Sequence, residues 1–103
     1  MISSIEQHLD AIRALCQEYH VTRLDLFGST ARADFDVERS DVDLLVEFAA
    51  GADLGPWMAR YFEFQARLEA LLGRKVDLIM ASSVRNPYLQ RAIDQDRQEL
   101  YAA

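Results

Sequence analysis

Leu26-Phe27-Gly28-Ser29 is followed, after eleven residues, by Asp41-Val42-Asp43 at the head of the apolar run Leu44-Leu45-Val46. Carboxylates two residues apart on a strand project from the same side and can converge on one hard cation or a close pair. Such oxygen ligands suit magnesium, whose octahedral shell is completed by phosphate oxygens and water. A glycine at a strand-to-helix turn lets a phosphate approach the backbone, and the amides and hydroxyl that follow, Ser29 included, can donate to it. Taken singly, each half has an ordinary explanation: the wet face of an amphipathic strand for the aspartates, a common turn for Gly28-Ser29. Together they are the parts that hold a nucleoside triphosphate and its metal.

A third carboxylate, Asp77, lies inside the apolar stretch Val76-Asp77-Leu78-Ile79. An unpaired charge there is costly if it faces a core, so Asp77 must face water or a partner. If its strand neighbours the one bearing Asp41 and Asp43, three close carboxylates repel unless a cation neutralises them. The alternative is an outward-facing aspartate on an edge strand. Arg32 and Arg39 fall between the two motif halves, where guanidinium forks match the oxygens of a triphosphate or of leaving pyrophosphate. Solvated loop arginines are the competing explanation. His8 and His20 are remote in sequence from the acidic motif and take no role.

The elements that must position these residues follow from periodicity. Ile2, Ile5, Leu9, Ile12, Leu15, Cys16 and Tyr19 recur at helical spacing, and Ser3 with Glu6 forms a capping-box pattern, which predicts a helix over 3–19. Residues 21–27 alternate as a strand, with Thr22, Leu24 and Leu26 on one face and Val21, Arg23, Asp25 and Phe27 on the other. A short helix over 30–33 and an exposed loop over 34–40 lead to a second strand, 41–48, with Val42, Leu44, Val46 and Phe48 opposite Asp41, Asp43, Leu45 and Glu47. Pro56 opens a crossover helix with the stripe Trp57, Tyr61, Phe64, Leu68, Leu71 and Leu72, closed by Gly73. A third strand over 75–80, a helix from Asn86-Pro87 to about residue 94 and a short terminal strand over 99–101 complete the order. The pattern is α/β (α+β): a small mixed β-sheet with helices packed against it, one sheet face left for chemistry.

Composition bounds the function. The 103 residues make one domain, 1–103, and half of them are hydrophobic, so the chain folds rather than staying disordered. A net charge of −6 repels phosphate backbones, which disfavours direct nucleic-acid binding and favours a basic protein partner. The only cysteine, Cys16, falls on the apolar stripe of the first helix and reads as a buried structural thiol. No segment has the pattern of a signal peptide or the length of a membrane span, so no membrane role and a cytoplasmic location are expected.

The stretches LFGSTARADFDVERSDVDLLVEF, GRKVDLIM, VRNPYLQRAI and ELYAA together resemble the nucleotidyltransferase superfamily that includes DNA polymerase beta. They resemble most its minimal nucleotidyltransferase (MNT) domain. The resemblance implies a polymerase beta-like fold in which Gly28 and Ser29 hold nucleotide phosphates, Asp41 and Asp43 bind two magnesium ions, and Asp77 completes a catalytic triad. It implies ATP as donor and, by likeness to the antitoxin half of HEPN/MNT pairs, AMP transfer to a tyrosine of a HEPN-type toxin within a hetero-oligomer. A non-catalytic antitoxin that blocks its toxin by contact is the alternative. The chain departs from the family pattern at Ala33, where glycine is common, and in a spacer one residue longer.

Overall fold

In a computed structural model the described residues are 3–28 and 41–103. They form α1 (Ser3–Gln7), α2 (Leu9–Glu18), β1 (Val21–Phe27), β2 (Val42–Phe48), α3 (Ala59–Leu72), β3 (Val76–Met80), α4 (Pro87–Asp96) and β4 (Gln98–Ala102), with single 3-10 turns at Pro56–Met58 and Ala81–Ser83. The sheet order is β3-β2-β1-β4. β1 pairs antiparallel with β2 and β4, whereas β2 and β3 are parallel, so the sheet is mixed as expected. The short helix and loop predicted over 30–40 lie outside the described residues.

One sheet face carries the main core. Ile12, Leu15 and Cys16 of α2, with Tyr19 after it, and Phe64 and Leu68 of α3 pack onto Leu24, Leu26, Val42, Leu44, Val46, Val76 and Leu78. On the other face Ile93 of α4 packs against Phe27 and Leu45. Among the described helices α4 alone packs on that face, and Asp43 and Asp77, the second residues of β2 and β3, stay partly accessible.

Three predicted elements differ in detail. The first helix is broken at His8 (φ −107°, ψ 8°), yet Ile5, Ile12, Leu15, Cys16 and Tyr19 keep one buried stripe across the break. In β1 a bulge falls between Val21 and Arg23, which turns Val21 onto the face of Leu24 and Leu26 rather than the opposite one. The third correction concerns Trp57, expected on the buried stripe of the crossover helix. Trp57 (φ 56°) and Met58 (φ 57°) are left-handed, α3 begins only at Ala59, and Trp57 stands 94% exposed. Left-handed backbone costs a non-glycine residue about 1–2 kcal/mol. The far end of α3 is as predicted: Gly73 (φ 66°) caps it, its N–H donating to the Glu69 carbonyl at 2.8 Å. The start of α4 is equally local, with Asn86 Oδ1 accepting from the Tyr88 N–H at 2.9 Å and Pro87 in the first turn.

Candidate active site

Alternation along β2 turns Asp41 and Asp43 away from the main core, and Asp43 is Cα partner to Phe27 of β1 on one side and Asp77 of β3 on the other. Two carboxylates carried by separate strands are thus brought side by side by parallel pairing in register. Asp77 lies within hydrogen-bonding reach of Asp43, which favours the protonated form of the Asp43 carboxyl. Burial first, then repulsion from Asp77 and Asp41, pushes the Asp43 carboxyl up from 3.8 to about 6. Asp41 sits at the exposed margin, and its Oδ2 lies 3.9 Å from Lys75 Nζ, a solvated ion pair just ahead of β3. In this arrangement no three acidic, histidine or cysteine side chains among the described residues form a ready-made cation cage. The donor set nevertheless suits magnesium: all-oxygen, acidic, partly accessible and strained by its own like charge.

Gly28 ties the two motif halves together. Its φ of 71° is left-handed, and a Cβ built there falls 2.5 Å from Asp43 Oδ2. Only glycine gives both the turn and room for that carboxylate. Ser29, Arg32 and Arg39 lie outside the described residues, so the placed members of the predicted site are Gly28, Asp41, Asp43 and Asp77.

A fourth carboxylate, Asp25, is wholly buried. Its Oδ2 accepts from Arg23 Nε at 2.9 Å and from Arg97 Nε at 2.8 Å, while Arg97 Nη1 reaches Asp94 at 2.9 Å. Its Oδ1 has no partner among the described residues. The reasoning that singles out Asp77, a charge within an apolar strand, applies equally to Asp25. Its solution is arginine rather than a cation. Lys75, beside Asp41, is a second neighbour that motif reading passes over.

A mixed sheet with helices on both faces, carrying aspartates from adjacent parallel strands beside a glycine turn, has the architecture of a nucleotidyl-transferring enzyme. A family model of the nucleotidyltransferase domain matches residues 9–100, and the chain belongs to that family. The protein adenylyltransferase MntA of Thermococcus cleftensis is 37% identical over 86 residues, 82% of each chain. MJ1379 of Methanocaldococcus jannaschii is 40% identical over 84 residues, 82% of this chain and 81% of its own. A solved structure described as that of a minimal nucleotidyltransferase superposes with a TM-score of 0.75 at 29% identity, over 93% of this chain and 92% of that one. The fold is also shared, at 22% identity and a TM-score of 0.65, by a chain from the complex of a tri-AMPylated Shewanella oneidensis HEPN toxin with its MNT antitoxin; 95% of this chain and 72% of that one are covered.

Proposed function

We propose that this chain transfers AMP from ATP to a hydroxyl, a tyrosine by the family resemblance, on a HEPN-type toxin with which it forms a hetero-oligomer. The observation that carries the reading is the Asp43–Asp77 pair beside Gly28: two carboxylates forced together next to a turn with no side chain. The relative MntA is named a protein adenylyltransferase, and a toxin in the Shewanella complex is AMPylated, which supports a protein acceptor.

Asp41, Asp43 and Asp77 would hold two magnesium ions. When bound, they supply charge neutralisation to the triphosphate and a more acidic acceptor hydroxyl. Gly28 and Ser29 would seat the phosphates through backbone and hydroxyl donors, with Arg32 and Arg39 reaching the triphosphate or the departing pyrophosphate. The acceptor oxygen would attack the α-phosphorus, the bond from that phosphorus to the α–β bridging oxygen would break, pyrophosphate would leave, and Asp77 would help take the hydroxyl proton. The acidic net charge supports a protein acceptor rather than a nucleic acid.

The test is co-expression with the protein encoded beside this chain, then intact-mass analysis with ATP and magnesium. An AMP increment on the partner is expected, and it disappears with Asp41→Asn plus Asp43→Asn. Neutralisation of the partner by that double variant, with no increment in the wild type, would select the non-catalytic alternative.

A further inference from the structure

Lys75, which the proposed chemistry leaves without a role, is the only lysine in the chain; every other strong base is an arginine. Parallel pairing puts it among the carboxylates. Val42 pairs with Val76 and Asp43 with Asp77, so one position earlier Asp41 stands opposite Lys75. The Val42 N–H donates to the Lys75 carbonyl at 3.0 Å, which carries the pairing back to that residue. Side chains two residues apart on a strand share a face, so Lys75 falls on the face of Asp77 as Asp41 falls on that of Asp43. Two rows result: Asp41 with Lys75 at the margin, and Asp43 with Asp77 one step further along the strands.

The backbone at this point is fixed, whereas the ammonium is lightly held. β3 is an outer strand of the described sheet, where backbone groups turned away from β2 need partners. α3 supplies them: the Val76 N–H donates to Glu69 Oε2 at 3.0 Å, and Gln65 Nε2 donates to the Val76 carbonyl at 2.8 Å. Lys75 and Asp77 therefore leave a pinned residue on either side. The Lys75 side chain itself is 69% exposed, and its Nζ lies 3.9 Å from Asp41 Oδ2. A solvated pair of that length contributes little and is readily exchanged. Lysine carries a compact charge with three donors on a flexible stem, suited to such an exchange.

We propose that Lys75 is a nucleotide-binding residue that changes partner as the site fills: it neutralises Asp41 in the metal-free chain and, when magnesium takes that carboxylate, turns its ammonium to the triphosphate. Charge drives the exchange. An ammonium and a divalent cation compete for one carboxylate, and the doubly charged ion is favoured there. The triphosphate that arrives with the metal supplies the negative charge the displaced ammonium then lacks, and lysine binds phosphate as a point charge without the fixed fork of arginine. The inference rests on the reading of Asp41, Asp43 and Asp77 as a magnesium-triphosphate site. It adds that the site carries its own counter-ion, which opposes the metal alone and favours the metal with nucleotide.

The experiment compares the wild type with Lys75→Met and Lys75→Arg, both of which keep the carbonyl that the Val42 N–H uses and are checked for fold by circular dichroism. Binding is measured for manganese alone, by paramagnetic resonance of the unbound ion, and for magnesium with α,β-methylene-ATP, which cannot transfer AMP, by calorimetry. Lys75→Met is expected to bind manganese about two- to fivefold more tightly, through loss of the competing ammonium. The same variant is expected to bind the magnesium-nucleotide complex about tenfold more weakly, through loss of a charge-assisted hydrogen bond. Lys75→Arg, which keeps the charge, should return both affinities most of the way to wild type. Because the chain has one lysine, wild type labelled with 13C-lysine gives one side-chain amine-end signal, expected to move with magnesium and again with nucleotide. Affinity shifts of the same sign in Lys75→Met, no shift in either, or a lysine signal indifferent to nucleotide overturns the proposal. Failure of the transfer reading looks different: Lys75 responds to metal and nucleotide as expected, but the protein encoded beside this chain gains no AMP on co-expression.

Discussion

Gly28 and Asp43 constrain each other across the β1–β2 register, and that contact sets how the carboxylates meet. A methyl group at position 28 meets Asp43 Oδ2 and also forces alanine into left-handed backbone. Gly28→Ala is expected to lose about 1–2 kcal/mol in urea unfolding and to weaken magnesium-ATP binding in calorimetry, through displacement of Asp43. Asp43 also sets a pH dependence. Its folded value of about 6 lies above its ordinary 3.8, so the stability it lends the metal-free chain is fully present below pH 4 and lost as pH rises through 6. Asp43→Asn should therefore raise the unfolding midpoint of the metal-free protein at pH 7–8, measured by thermal denaturation, while abolishing AMP transfer. Asp43 and Asp77 were readable as acidic interruptions of two apolar strands, but their juxtaposition depended on those strands pairing in register. The Gly28 contact was not readable, because it is made across paired strands.

Between elements, Asp25 and Arg97 join the centre of β1 to the junction of α4 with β4. Both guanidinium partners bind Oδ2 of a carboxylate that is shut off from water. Truncation at Asp25 leaves Arg97, itself only a quarter exposed, with the more exposed Asp94 as its remaining counter-charge. Asp25→Ala is expected to cost about 2–4 kcal/mol in denaturant unfolding, more than Arg23→Ala, whose side chain is 41% exposed against 1% for Asp25. Element type followed from periodicity wherever the burial stripe was long, as in α2, α3 and β2. It failed at Val21 and Trp57, where one bulged residue and one left-handed turn shift the phase of the pattern without changing its composition.

For the whole molecule, α2 and α3 on one face and α4 on the other enclose the four-stranded sheet of the described residues, with the carboxylates at one end of it. The main core shields Cys16, whose thiol burial pushes up to about 12. The native protein at pH 8 is expected to resist thiol-specific reagents and to react only on unfolding, checked by labelling with and without urea. Since that folded value lies above the ordinary 9.0, Cys16's contribution to stability is complete below pH 9 and declines as pH rises toward 12.

What the chain's order of residues determined by itself was local and chemical: strand and helix type from apolar period, helix ends at Gly73 and Asn86-Pro87, and the acidic motif with its glycine turn. These depend on neighbours within a few positions, which a linear sequence displays. Tertiary structure decided which carboxylate found a carboxylate and which found arginine. Asp77 and Asp25 occupy similar apolar strands, but β3 lies beside Asp43, whereas β1 lies under Arg97. It also decided that Trp57 faces solvent. Each outcome depends on strand order and register, and those are settled by burial summed over the whole sheet rather than by any residue's own preference.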